Sequence, residues 1–98
     1  MTWQVIVRPA AEVDLINAAA WYELQREGLS SDFLREIDKT IKSLETFPES
    51  YPIYYKNFRR IMTRRFPYKM FFLIEENRIV VFRILHAGRE HSRHLQSI

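Results

Sequence analysis

Arg59, Arg60, Arg64, Arg65, Arg83, His86 and Arg89 punctuate a stretch whose other landmarks are two apolar runs, Met70 to Ile74 and Ile79 to Leu85. A purely structural sheet has no need of so many cations. A guanidinium is a permanently charged planar fork that grips carboxylates or phosphates through paired hydrogen bonds. Two chemistries are therefore open. One is the binding of an anionic partner. The other is metal-free RNA cleavage through the 2′-OH, which requires a base near that oxygen, a donor for the leaving oxygen and cations around the phosphorane. Arg59, Arg65, Arg83 and Arg89 are the candidates to hold the phosphate, and His86 is the only imidazole inside the expected sheet.

Each candidate also has a plainer reading. His86 reads first as a strand-end histidine bonded to backbone. A guanidinium among Ile79, Val81 and Leu85 must find water or an anion, so Arg83 is either paired with a helix carboxylate or aimed at a phosphate or partner carboxylate. The Arg59-Arg60 and Arg64-Arg65 pairs could simply protect a solvated edge strand from aggregation. His86, His91 and His94 lack the cysteines or paired carboxylates of a metal site, so neither metal nor cofactor is expected. Trp21, Tyr22 and the aromatic residues between 47 and 58 read as core rather than as base-stacking platforms.

These residues must be positioned by a short chain. Its 98 residues are read as one domain, 1–98, because a chain this size has no surface-to-volume margin for a second core. The 47% hydrophobic content and only 2 glycines argue for a folded protein. With no cysteine there is neither a disulfide framework nor a thiol nucleophile. No apolar run approaches a membrane span, and the start MTWQVIVRP lacks a signal peptide's layout, so a cytoplasmic location is expected. Residues 1–55 carry 5 Lys/Arg against 9 Asp/Glu, a balance of −4, whereas residues 56–98 carry 10 against 3, a balance of +7. The second half is thus suited to an anionic partner, nucleic acid or an acidic protein segment.

Trp3 to Arg8 alternates as a strand, and Pro9 opens a helix to about Glu27, with Gly28 as its left-handed closing residue. That helix has two apolar stripes, Ala11-Leu15-Ala18-Tyr22 and Val13-Ile16-Ala20-Leu24, which predict packing on both the sheet and a second helix. Ser30 or Ser31 is the expected cap of that second helix, whose single stripe is Phe33, Ile37, Ile41 and Leu44. Pro48 and Pro52 argue against a regular element between Phe47 and Phe58. A turn at Glu76-Asn77, with Asn77 suited to positive φ, sets 75 opposite 78, 72 opposite 81 and 70 opposite 83. The set Lys69, Phe71, Leu73, Val80, Phe82, Ile84 and His86 is placed against the helices, leaving Arg83 on the open face beside Tyr68 and Met70. The fold expected is α+β: an N-terminal strand and an antiparallel helical hairpin packed on an antiparallel sheet of about four strands.

Several short stretches, in this order, carry a family resemblance: the opening strand ending in Pro9, then Ala11, Asp14, Leu15 and Trp21-Tyr22-Glu23; Gly28-Leu29; Phe33-Leu34; Pro48; Tyr51-Pro52; Arg59-Arg60; Phe66-Pro67-Tyr68; and His86-Ala87-Gly88-Arg89. Together they resemble the RelE/ParE superfamily of bacterial type II toxins, closer to the ParE-like, plasmid-stabilisation branch, over nearly the whole chain. The resemblance implies a small toxin neutralised by a cognate antitoxin of ParD/RelB type, whose C-terminal segment wraps it. ParE members poison DNA gyrase, and RelE members cleave mRNA in the ribosomal A site. The tail from Arg89 to Ile98 has no tyrosine where nuclease members tend to carry one. Growth inhibition by binding is the favoured expectation, with an acidic antitoxin segment as partner and Arg60, Arg64, Tyr68, Arg83 and Arg89 as the antitoxin or target contacts. The alternatives are a ribosome-dependent endonuclease using Arg59, Arg65, Arg83, His86 and Arg89, and a non-toxic basic module that binds RNA or protein.

Overall fold

The computed structural model describes residues 3–88. The chain runs β1 (Gln4–Val7), α1 (Pro9–Gln25), α2 (Leu29–Thr46), a 3-10 turn (Pro48–Ser50), β2 (Ile53–Tyr55), β3 (Phe58–Met62), β4 (Tyr68–Glu75) and β5 (Arg78–His86). One five-stranded sheet has the order β1-β5-β4-β3-β2. β1 lies at an edge, parallel to β5, and the other neighbours are antiparallel. No helix among the described residues is long and apolar enough to cross a membrane.

The extra strand comes from the segment with two prolines. Pro48 opens the 3-10 turn, where its missing N–H costs nothing, and Pro52 stands just before β2 and gives its carbonyl to the Arg60 amide at 3.2 Å. An edge position lets a strand as short as β2 form beside a proline.

Gly28, at φ +86°, makes the reversal between the helices. Neither serine caps α2 through its side chain. Glu23 reaches across from α1 instead, accepting from the Gly28 amide at 3.0 Å, the Ser30 amide at 3.1 Å and the Ser30 hydroxyl at 2.6 Å. The carboxylate thus satisfies amides that α2 leaves unpaired and sits where the helix dipole favours a negative charge. The Ser30 hydroxyl first, then the two amides, hold the Glu23 carboxyl below the usual carboxylate range. A depressed acid stabilises the fold above its unfolded value and loses that contribution as pH falls through its folded one. Glu23→Gln should therefore melt below wild type at neutral pH and converge with it in acid, as thermal melts across the acidic range would show.

Two face assignments differ from expectation. Met70, Phe72, Ile79 and Val81, with Ile84 and Ile61, join Phe33, Ile37 and Leu44 of α2 and Ala11, Ala18 and Tyr22 of α1 in the main core. Phe71, Val80 and Phe82 lie on the other face with Phe58 and Leu85, in a second cluster flanked by Tyr54, Tyr55 and Leu73. Both faces are apolar, so composition could not choose between them. The far face is not a bare cationic surface: Arg8 stands 4.9 Å from the Phe82 ring centroid and Arg60 stands 4.7 Å from that of Tyr54.

The β4–β5 register begins as expected, 75 opposite 78 and 72 opposite 81, and then slips. Arg83 pairs with Phe71 and Ile84 with Met70, leaving Phe82 as the bulged residue. The bulge reverses the alternation, so that Ile79 and Val81 enter the main core and then Ile84 does. At the hairpin tip, positive φ falls on Glu76, at +52°.

The second stripe of α1 is not packed. Val13, Ile16 and Leu24 are 53, 67 and 84% exposed, and Trp21 is 55% exposed. The tight reversal at Gly28 lays α2 beside α1 on the same sheet face. Each helix then spends one stripe on the sheet, and nothing among the described residues lies over the far side of α1. Of the residues read as core, Tyr22 is buried, whereas Trp21 and Phe47 are not.

Candidate functional site

Beyond the end of β1 the edge of β5 lies open to α1, and a groove of about 620 Å³ forms there. Asp14, Asn17, Trp21 and Tyr22 of α1 line it, with Tyr68 of β4 and Arg83, Ile84 and His86 of β5. At its floor the Asp14 carboxylate accepts from Arg83 Nε at 2.8 Å, Arg83 Nη2 at 2.9 Å and the Ile84 amide at 2.9 Å. The last of these bonds matters to the sheet. β1 pairs with β5 only as far as Val81, so an α1 side chain takes over the strand edge where β1 stops.

Arg83 thus pairs with a helix carboxylate instead of standing on the open face expected from strand alternation. The pair is largely shielded, with side chains 22 and 11% exposed. The hydrogen bond that Arg83 donates to Asp14 raises the Arg83 pKa above its already high value, against a smaller lowering by burial. The guanidinium is a fixed cation and cannot move protons. A carboxylate or phosphate entering the groove must share it with Asp14.

Past the bulge at Phe82 the alternation runs unbroken from Arg83 to His86, and both residues line this groove because it opens at the free edge of β5, where Asp14 meets Arg83 and the Ile84 amide. The His86 Nδ1 accepts the Gly88 amide at 3.1 Å, and its ring meets Tyr68 edge-on at 5.5 Å. A neutral ring with that acceptor carries its proton on Nε2. This is a strand-end histidine bonded to backbone. Tyr68 continues into an aromatic cluster with Tyr22 at 6.1 Å and Phe33 at 5.2 Å. Burial, and then the neighbouring Tyr68 hydroxyl, push the Tyr22 phenol above its usual value. A raised phenol favours the fold below its unfolded value, and that contribution is lost as pH climbs through the folded one.

The other candidates are dispersed. Arg59 donates through Nη1 to the Tyr51 carbonyl at 2.7 Å and the Glu49 carbonyl at 3.1 Å, pinning the proline-containing segment to β3. Arg65 reaches Asp32 at 3.3 Å and lies 5.1 Å from the Phe66 centroid. Asp32 also meets Arg35 at 3.2 Å and Arg26 at 3.8 Å, so one carboxylate ties both helices to the β3–β4 loop. Because those arginines are well exposed, Asp32→Ala should cost only about 0.5–1 kcal/mol in chemical denaturation, and less in high salt.

Arg60 and Arg64 line a second groove of about 710 Å³ with Lys39, Glu36 and Met62. The Arg64 amide donates to Glu36 Oε2 at 3.2 Å. Arg89, His91 and His94 lie outside the described residues. Neither Arg59 nor Arg65 lines the groove that holds Arg83 and His86. Asp14, Asn17 and Trp21 were not among the predicted site residues. Asp14 carried a usable signal: an acid flanking the buried Ala11-Ala18-Tyr22 stripe faces a partner on whatever strand that stripe covers.

Residues 5–91 match the family described as the ParE toxin of the type II toxin-antitoxin system parDE. Among solved structures, the chain is similar to a chain of the chromosomal ParDE toxin-antitoxin system of P. aeruginosa. That likeness has a TM-score of 0.80 at 16% identity and covers 89% of this chain and 98% of the other. The chain is also similar to the conserved hypothetical protein HP0894 of Helicobacter pylori, with a TM-score of 0.59 at 14% identity, covering 89% and 97%. No curated protein matches.

Proposed function

From the premise that this chain belongs to the ParE toxin family of type II toxin-antitoxin systems, we propose that it arrests growth in the cytoplasm by binding a target, DNA gyrase, and that a cognate antitoxin neutralises it. One observation carries the choice of binding over cleavage. Arg59, Arg65 and Arg83, which a nuclease would gather around one phosphate, each hold an intramolecular partner, and they do so in separate places. Phosphorane stabilisation requires preorganised cations converging on one point. Arg59 and Arg65 act here as structural ties, and the groove beside Arg83 is a docking surface with its own carboxylate.

Induction without the antitoxin tests this reading. Growth should stop with DNA-damage signalling and altered plasmid supercoiling, and co-expression of a cognate antitoxin should restore it. Codon-dependent cuts in translated messages, mapped by primer extension, would overturn it in favour of a ribosome-dependent endonuclease. Unimpeded growth would leave a non-toxic binding module.

A further inference from the structure

Asp14, Asp32, Asp38 and Glu75 account for the salt bridges among the described residues. Arg8, Lys56, Arg60 and Lys69 take part in none of them. All of these cations belong to the sheet face turned away from the helices. Arg8 and Arg60 lie over the Phe82 and Tyr54 rings, and Lys56 stands 5.4 Å from the centroid of Tyr55. Lys69 alternates with Met70 of the main core and so shares the side of Phe71. From β1 to β2 the cations are spread over the whole sheet, about 19 Å at the usual strand spacing. Glu75, the acid that alternation puts on this face, sits at the hairpin tip and is held by Arg78 at 3.5 Å.

A row of cations without carboxylates attracts an external anion, and the form of the face selects which. A peptide binds by adding a strand at a sheet edge or by filling a groove. β4 and β5, which hold Phe71 and Phe82, each have a neighbour on both sides and offer no edge. Single-stranded nucleic acid binds by stacking its bases on open rings. Here Phe58, Phe71 and Phe82 are buried, and the half-buried Tyr54 and Tyr55 have cations over them. What remains is charge at the surface. It suits the phosphate backbone of a duplex, which presents a negative charge about every 1.7 Å along its axis.

We infer that the far face of the sheet binds the backbone of duplex DNA without reading its sequence. The inference goes beyond the gyrase reading by adding a nucleic acid to a protein target, and it stands on this face alone.

Fluorescence anisotropy of a labelled DNA duplex, titrated with the purified toxin, tests it. With a phosphate neutralised by each of these cations, affinity should fall roughly a hundredfold between about 50 and 200 mM salt. Arg8→Gln combined with Lys56→Gln, both at exposed positions, should bind at least tenfold more weakly at low salt with an unchanged melting temperature. Arg26→Gln combined with Lys42→Gln removes the same charge from the helix side, where both cations already face carboxylates, and should bind as wild type does. Equal losses in the two double variants, or a wild-type chain that leaves the duplex free at low salt, would overturn the inference without touching gyrase inhibition. At least tenfold tighter binding of single-stranded RNA or of poly-glutamate would overturn it in favour of that class of partner. Duplex binding by a chain that leaves gyrase supercoiling undiminished would uphold this face and remove the gyrase reading.

Discussion

Asp14→Ala is expected to lower stability by about 2–4 kcal/mol, well above the effect of an ordinary surface substitution. Asp14 holds two donors of Arg83 and the amide of Ile84 at 2.8–2.9 Å, so its loss leaves a shielded guanidinium and a strand-edge N–H without their acceptor. Equilibrium denaturation would measure the cost. A double-mutant cycle with Arg83→Met should recover part of it, because removing both charges avoids the uncompensated one. Asp14→Asn should fall between wild type and alanine, since the amide oxygen can still accept from Ile84. Single mutants whose costs merely add would mean that the pair contributes no coupling.

Phe72→Ala is expected to be worse, at about 3–5 kcal/mol. The ring is fully buried in the central strand β4, where it faces the helices and meets Tyr51 edge-on at 6.2 Å. A cavity there is bounded by sheet on both sides and has little freedom to collapse. Phe71→Ala, also fully buried, empties the second cluster on the opposite face. It should lower stability without loosening the helix hairpin. Hydrogen exchange of the α2 amides separates the two: Phe72→Ala should raise it through sub-global opening, and Phe71→Ala should not.

Much of the fold was legible because separate local signals agreed. Pro9, Gly28 and the 4-4-3 spacing of Phe33, Ile37, Ile41 and Leu44 all pointed to a helical hairpin, and strand alternation on both sides of Glu76-Asn77 pointed to a β-hairpin. The failures share a cause. A bulge adds a residue without changing composition, so the slip at Phe82 left no mark in an unbroken apolar run, yet it decides where Arg83 and His86 stand. The orientation of β4 was hidden because Phe71 and Phe72 are the same residue on opposite faces. Glu23 was missed as a cap because it acts from the preceding helix, whereas capping rules look only along one chain segment. Reading both stripes of α1 as packed assumed that an apolar helix finds all its partners within its own chain. The candidate site was legible only as a set of residue types. Which arginines are spent internally depends on Asp14, Asp32 and the carbonyls of Glu49 and Tyr51, and those contacts are tertiary.

The claim on which the functional account turns is that this chain stops growth by binding DNA gyrase. Purified toxin added to gyrase and relaxed plasmid tests it most directly. The account predicts loss of supercoiling in proportion to toxin, with gyrase trapped on cleaved DNA and activity restored when antitoxin is added. Undiminished supercoiling at saturating toxin, from a preparation that cuts mRNA on translating ribosomes, would contradict it.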